Sequence, residues 1–234
     1  MIASKGLIVD MPLNEGQGKL AFDKTKLTNP IGIPVISSTI TWQQSQKGNS
    51  LKWAGSTIND KVTIGKPSIL NIGSGEVTVS LWCRFTAVSS VYRYLVSDYN
   101  SAGSNCQYSL MLGNVGRIQF FWCNAGSQVP TTSSTAGYVI NANQWYHLVG
   151  IRSGVAGAWT AAVWQDGVFQ YSQTTATNPP AQSSCGNTQV GIVGDYNGPT
   201  LCHDGNIRKL KVWNRALTPS EIKDLFVQEK NFIR

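Results

Sequence analysis

The stretch Gly205–Phe226 constrains the fold most, because it combines a strand, a turn and a short helix near the end of the chain. The strand part contains apolar residues that favour extended backbone and burial, namely Ile207, Leu210, Val212 and Trp213. Basic residues interrupt these positions. The pattern predicts a strand with one face directed toward a hydrophobic core, followed at once by a helix.

Three residues with defined roles mark the start of that helix. Thr218 is the predicted N-cap, Pro219 suits the first helical position, and Glu221 completes a capping box three residues after the cap. One helical face then carries the apolar residues Ile222, Leu225 and Phe226. We therefore expect a short amphipathic helix that packs against the preceding strand.

Residues Val77–Phe85 alternate between apolar and other side chains over nine positions, which is a strong strand pattern. Asp166 and Gly167 separate two further strands and favour a type I′ hairpin, in which both central residues have positive φ. We expect about a dozen short strands with frequent turns, and polar loops at residues 131–136 and 172–187. These features predict an all-β, two-sheet antiparallel sandwich.

The closing stretch also resembles a known family. Its pattern Gly-x-Ile-x-x-Leu-x-Val-Trp-Asn-Arg-Ala-Leu-Thr-Pro-x-Glu-Ile is similar to the last motif of laminin-G-like domains, within the concanavalin A-like lectin/glucanase superfamily. The opening strand with residues 13–16, the Trp82 strand and the Trp-x-His strand at Trp145 extend this resemblance over most of the chain. It implies one jelly-roll domain over residues 1–234, with a short C-terminal helix. The charge differs, since Arg208-Lys209 stands where the family usually has Asp-Glu.

Catalysis is not favoured by the acidic residues. Glycoside hydrolysis normally needs two carboxylates facing one cleft, and no strand carries two of them on one face. Tyr146 and His147 are adjacent in a strand, so they point to opposite faces, and His147 is predicted to be a packed structural residue. His203 stands in a loop beside Asp204 without a recognisable nucleophile. We expect a protein that is not an enzyme, with a polysaccharide hydrolase or lyase as an alternative.

A structural Ca²⁺ ion is implied by the resemblance, because many superfamily members hold one between an early loop and the start of a late strand. The matching positions are Asp23 and Asp204, and hard oxygen ligands suit this ion. The alternative is that both are ordinary turn aspartates.

Ligand binding is predicted for two loops that are rich in Tyr, Asn, Ser and Gly, because such loops adapt to polar ligands. The candidate residues are Tyr99, Asn100, Asn105, Tyr108, Asp195, Tyr196 and Asn197. Most tryptophans are expected in the core, and the resemblance assigns Trp53, Trp145 and Trp213 to it. Trp82 lies on the polar face of its strand.

The net charge of +7, from 19 basic and 12 acidic residues, is compatible with anionic glycans, membrane surfaces or nucleic acid. The basic residues are scattered, which argues against nucleic acid. Arg208, Lys209, Lys211 and Arg215 form the densest cluster. This cluster is either a contact for an acidic partner or, as we expect, the exposed face of the last strand.

Five cysteines give an odd number. Cys83 and Cys123 lie in apolar strands and are expected to be buried thiols, whereas Cys185 and Cys202 are candidates for a disulfide bond. No stretch has the length of a membrane-spanning helix or the form of a secretory signal. We therefore expect a virion or cytoplasmic location, or an extracellular one if a signal was removed.

The function predicted from the sequence is non-catalytic recognition of glycans or a cell-surface polysaccharide, plausibly on a phage or viral particle. An alternative is a virion decoration or fibre protein whose partners are capsid or tail proteins. A homo-oligomer is compatible with either function, and neither needs nucleic acid or membrane insertion.

Overall fold

Two antiparallel sheets make up the structure, a computed structural model that describes residues 4–25, 35–36, 39–54, 61–65, 68–88, 92–99, 105–113, 116–133, 139–180, 188–190 and 203–233. The eight-stranded sheet contains β1 (Leu7–Met11), β3 (Thr41–Gln43), β4 (Ser50–Ala54), β6 (Val77–Phe85), β11 (Trp145–Val155), β12 (Ala158–Gln165), β13 (Val168–Thr175) and β15 (Asp204–Trp213). The seven-stranded sheet contains β2 (Val35–Ile36), β5 (Val62–Gly65), β7 (Arg93–Tyr99), β8 (Cys106–Leu112), β9 (Ile118–Asn124), β10 (Ser127–Ser133) and β14 (Thr188–Val190). A 3₁₀ turn spans Ser68–Leu70, and helix α1 spans Pro219–Lys230.

The strand order is that of a sandwich with many crossovers between its sheets. The larger sheet runs β13-β12-β11-β6-β15-β4-β3, with β1 paired to β15, and the smaller sheet runs β10-β9-β8-β7-β14-β5-β2. Every pair of neighbouring described strands is antiparallel. This confirms the predicted two-sheet jelly-roll sandwich with a short C-terminal helix.

The main core lies between the sheets, and β6 shows how the sequence pattern produces it. The alternate residues of β6 predicted to face inward all belong to this core: Val77, Val79, Leu81, Cys83 and Phe85. Burying such side chains contributes roughly 25 cal/mol for each Å² removed from water. The other face of β6 departs from expectation, because Thr78, Ser80 and Trp82 are also buried.

Helix α1 explains that burial, because it covers the outer face of the larger sheet. The capping box forms as predicted: the Thr218 hydroxyl accepts a hydrogen bond from Glu221 N, and the Glu221 carboxylate accepts one from Thr218 N. Ile222 and Leu225 pack on this outer face in a second apolar cluster, and Phe226 stacks on Trp82 at 5.8 Å between ring centroids. The larger sheet is therefore covered on both faces over part of its area.

Two strand boundaries differ from the sequence prediction. β10 includes residues 131–133, which were expected in a loop, and β13 continues to Thr175, inside the predicted loop at 172–187. Both segments are polar and have weak local strand signals, so pairing with β9 and β12 decides their conformation.

The cysteine predictions are confirmed where the structure describes them. Cys83 and Cys123 are buried thiols, as is Cys106, while Cys185 and Cys202 lie outside the described residues. Among the helices of the described ranges, none has the length and apolar character needed to cross a bilayer.

Candidate functional site

A row of directly paired residues crosses five neighbouring strands on the outer face of the larger sheet. Trp145 on β11 pairs with Arg84 on β6, and Arg84 pairs with Asn206 on β15. Asn206 pairs with Lys52 on β4, which pairs with Thr41 on β3. We call this row the Trp145 strip. Its four interstrand spacings give a length of about 19 Å.

The strip lies beside the region covered by α1. Trp82 and His147, two residues away along β6 and β11, contact Phe226 of the helix. On the strip itself, Trp145 and Arg84 are half-buried, whereas Lys52 and Thr41 are exposed. The helix therefore leaves the two ends of this row accessible to solvent, whereas Asn206 at its centre is buried.

A cleft of about 350 Å³ opens at the Trp145 end, lined by Gln144, Trp145, Tyr146 and Asp166. The Tyr146 hydroxyl donates to Gln144 Oε1 at 3.0 Å, which holds the amide at the cleft wall. Asp166 Oδ1 accepts a 2.9 Å bond from His147 N. Asp166 and Gly167 have φ values of 54° and 76°, so the predicted type I′ hairpin is confirmed and places Asp166 there.

The polar side chains of the strip are held by neutral partners. Arg84 Nη2 donates to Asn143 Oδ1 at 3.2 Å. Asn206 Nδ2 donates to Gln43 Oε1 at 2.8 Å and to Ser50 Oγ at 3.1 Å. The strip thus combines an aromatic ring, an amide and two cations, of which Arg84 and Asn206 are held by hydrogen bonds. Such a set suits a polar ligand with several hydroxyl groups.

The basic cluster is not the exposed face that the sequence predicted. Arg208 is 4% exposed and Lys211 is 6% exposed, because the C-terminal part of α1 covers this end of β15. Lys211 Nζ lies 2.7 Å from Glu229 Oε1 and 3.4 Å from Asp10 Oδ1. Burial alone would lower the pKa of Lys211, but these two carboxylates outweigh it and raise the pKa. The carboxylates permit the burial of this cation.

Both histidines have structural surroundings. His147 Nε2 lies 2.8 Å from Ser80 Oγ, and its ring contacts Trp82 and Phe226. His203 is fully buried against Trp53 and Phe85. Burial lowers the pKa of His203 to about 3, so this imidazole is neutral near pH 7 and cannot act as an accessible base.

The four glutamates also serve the fold. Glu15 accepts a bond from Phe22 N, and Glu76 accepts one from Ala216 N. Glu221 caps α1 and binds Arg215, while Glu229 binds Trp82 and Lys211 beneath the helix. These roles account for each glutamate without a catalytic function.

The residues that the resemblance assigned to Ca²⁺ do not fit one shared ion. Asp23 Oδ1 accepts a 2.7 Å bond from Asp10 N, and Asp10 pairs with Lys211 on β15. Asp204 begins β15, seven residues before Lys211, so roughly 20 Å separates the two positions along the strand. Asp23 also accepts bonds from Thr25 N and Oγ1. Within the described residues, no group of three or more His, Cys, Asp or Glu side chains is placed to hold a metal ion.

The ligand-binding residues predicted from the sequence are only partly placed by the structure. Tyr108 is fully buried in the main core, on the same face of β8 as Leu110 and Leu112, so it is removed from the candidate binding surface. Asn105 Oδ1 accepts a bond from Ala125 N at 3.0 Å. Tyr99 ends β7 and its side chain lies outside the described residues, as do Asn100, Asp195, Tyr196 and Asn197 entirely.

The position of Trp145 also differs from the expectation. The resemblance implied a core position, but Trp145 is half-buried and lines the cleft. Trp53 and Trp213 are fully buried, although Trp213 packs under α1 rather than between the sheets. The alternation of β6 placed Arg84 on the outer face, which was the available signal for the strip. The pairing of Arg84 with Trp145 and Asn206 had no local signal.

Comparison with known proteins agrees with this fold. The model of a laminin G family, described as the concanavalin A-like lectin/glucanases superfamily, matches residues 55–223. The chain belongs to this superfamily. A search of curated proteins gave no match.

Solved structures with the same fold are similar at low identity. Domain 4 of AbnA, an extracellular arabinanase from Geobacillus stearothermophilus solved with arabinotriose, has a TM-score of 0.67 and 18% identity over 94% of this chain and 97% of that domain. The binding domain of Paraclostridial Mosquitocidal Protein 1 has a TM-score of 0.74 and 13% identity over 97% and 53%. Trypanosoma rangeli sialidase has a TM-score of 0.71 and 13% identity over 99% and 34%. The chain thus spans the arabinanase domain, half of the toxin domain and a third of the sialidase.

Proposed function

We propose that this protein is a non-catalytic glycan-recognition module that binds saccharides along the Trp145 strip and its cleft. The observation that carries the proposal is the unbroken pairing of Trp145, Arg84, Asn206, Lys52 and Thr41 across five strands. An aromatic face packs on the apolar face of a sugar ring, while amides and charged groups bind its hydroxyls. The rigid sheet fixes these groups before a ligand arrives, which lowers the entropy cost of binding.

The similar structures support this proposal. One is solved with arabinotriose and another is a toxin binding domain, so the fold serves recognition in other proteins. The sialidase is the counterexample that keeps a hydrolase as an alternative. Against that alternative, His203 is buried and the four glutamates have structural partners.

A glycan array with the purified protein tests the proposal, using Trp145→Ala and the control Phe22→Ala. Phe22 is 58% exposed and belongs neither to the strip nor to its cleft. We expect the native protein and Phe22→Ala to bind the same glycans, and Trp145→Ala to bind at least about tenfold more weakly, which corresponds to about 1.4 kcal/mol. Unchanged binding by a folded Trp145→Ala variant, or release of reducing sugar from any bound polysaccharide, would overturn the proposal.

A second candidate function, a structural role with a protein partner, is favoured by the edge strand β13. It has eight residues without a charge or a proline, and Val168, Phe169 and Tyr171 are 38–48% exposed. Natural proteins usually protect such edges, because another strand can pair with them. Size-exclusion chromatography tests this role, since a charge at the edge (Tyr171→Lys) should reduce any self-association. A capsid or tail partner and a virion location stay predictions from the sequence.

A further inference from the structure

Two cations on the Trp145 strip lack a carboxylate partner in the described part of the chain. Arg84 donates to the neutral amide of Asn143, and Lys52 is exposed two strands away. The described ion pairs do not include either residue. Two interstrand spacings separate their backbones by about 10 Å, so one extended ligand can reach both.

Further positive charge adjoins the strip at the β4 side. Arg208 follows Asn206 on the same face of β15, and its Nη1 donates to the backbone oxygens of Lys47 and Phe232. Lys209 Nζ lies 5.0 Å from the centre of the exposed Phe232 ring. Burial is the largest cause of the lowered pKa of Lys209, and the carboxylate of Glu229 opposes it. The hydrogen-bond and ring partners shown for Arg208 and Lys209 are carbonyl groups and an aromatic ring, and Glu229 and Asp10 also act on Lys209 electrostatically.

Two cations at or near the end of β15 are paired with carboxylates. Lys211 lies beneath α1 and contacts Glu229 and Asp10. Arg215 forms a two-pronged pair with Glu221, with bonds of 2.9 and 2.6 Å. The fold thus supplies carboxylates to these two cations, whereas Arg84 and Lys52 have none among the residues that the structure describes.

We infer that the Trp145 strip selects acidic saccharides, in which a carboxylate or sulfate group supplies the negative charge that pairs with Arg84 and Lys52. This inference rests on the proposed function and names its ligand class. A guanidinium group binds a carboxylate or sulfate through two parallel hydrogen bonds, and such charged bonds are roughly twice as strong as neutral ones. Two aspartates lie near the site: Asp166 at the Trp145 end, and Asp204 two residues from Asn206 along β15. The proposed position of the anionic group is over Arg84 and Lys52.

Polygalacturonate and its fully methyl-esterified form test the inference, because they share a backbone and differ in charge. The affinity of each is measured by titration calorimetry at low and high salt, with heparin as a sulfated polymer and anionic lipid vesicles as a non-saccharide. The variants are Arg84→Gln/Lys52→Gln, Lys52→Gln alone, and the control Lys24→Gln/Lys223→Gln, which removes two exposed charges elsewhere.

We expect an acidic polymer, polygalacturonate or heparin, to bind at least about tenfold more tightly than the methyl ester, and salt to weaken this binding. The affinity of the Arg84→Gln/Lys52→Gln variant for the acidic polymer should fall at least about tenfold, and that of Lys52→Gln by a smaller factor. The affinity of the control should fall less than about threefold. Equal binding of the acidic and esterified polymers, equal losses in variant and control, or binding to vesicles in place of saccharides would overturn the inference. If Trp145→Ala weakens acidic and neutral polymers equally while the charge variants do not, the proposed function stands and the acidic selectivity fails. If Trp145→Ala has no effect, the site itself is wrong.

Discussion

The indole Nε1 of Trp82 donates a 2.7 Å hydrogen bond to Oε2 of Glu229, and this bond joins the centre of the larger sheet to the last turn of α1. The other carboxylate oxygen of Glu229 contacts Lys211 Nζ at 2.7 Å. Both oxygens of one buried side chain are thereby used in attaching the helix. Attachment of α1 to the sheet depends on polar contacts as well as on the apolar packing of Ile222 and Leu225.

Glu229→Ala is expected to destabilise the protein by about 3 kcal/mol, because Lys211 would lose its closest carboxylate inside the structure. Urea unfolding followed by tryptophan fluorescence measures this change. Trp82→Phe serves as the comparison, since it removes the indole donor and part of the ring but leaves the pair of Glu229 and Lys211 intact. A loss below about 1 kcal/mol for Glu229→Ala would show that the contact contributes no more than a surface ion pair.

Gly150→Ala is expected to destabilise the protein by about 1–3 kcal/mol or more, because overpacking a close-packed core forces neighbouring groups to shift. Gly150 pairs with Val79 and Val163, and a Cβ atom there would collide with the ring of Phe120 on the opposite sheet. Thermal unfolding measures the loss. The double variant with Phe120→Leu should recover part of it, and strictly additive losses would contradict direct contact.

Acid is expected to destabilise the protein through His203. The pKa of His203 is about 3 in the folded chain and 6.5 in the reference state, so only the unfolded chain binds this proton between those values. The contribution of His203 to the free energy of unfolding is fully present above pH 6.5. It decreases as the pH falls toward 3, by up to about 1.4 kcal/mol for each pH unit. The His203→Gln variant should show a shallower dependence of unfolding free energy on pH. Equal slopes in the two proteins, or an imidazole that titrates near pH 6 by NMR, would refute this assignment.

Asp23→Ala is expected to cost about 1–2 kcal/mol, because the backbone amide of Asp10 would lose its carboxylate acceptor. The cost should be the same with added Ca²⁺ and with EDTA, since Asp23 and Asp204 do not fit one ion. Calorimetric melting of the native protein and this variant in both buffers measures it. If EDTA lowers the melting temperature of the native protein alone, to that of the variant, Asp23 has a metal-dependent role.

Local sequence patterns predicted the parts of this fold that local interactions determine. The alternation of Val77–Phe85 gave the correct inward face, and Thr218, Pro219 and Glu221 gave the correct helix start. The burial of Trp82 was not predictable in this way, because it depends on where α1 docks across the sheet. The same holds for the Trp145 strip, which exists only through pairing between strands that are distant in the sequence. Tyr108 was misplaced because it was assigned to a ligand-binding loop, whereas it lies within β8 on the same face as the core residues Leu110 and Leu112.

Arg152 of β11 is fully buried. Its guanidinium carbon lies 5.7 Å from the ring centre of Trp122 and 5.7 Å from that of Trp159. Its hydrogen bonds go to the backbone oxygens of Gly73, Gly75 and Gln107, which lie in different directions. A guanidinium group stays protonated throughout the pH range in which proteins fold and its carbonyl acceptors do not titrate, so these hydrogen bonds do not depend on pH. A lysine has one side-chain nitrogen in place of three and cannot span those oxygens. Any related chain that lacks this arginine must therefore supply other hydrogen-bond donors to these backbone oxygens.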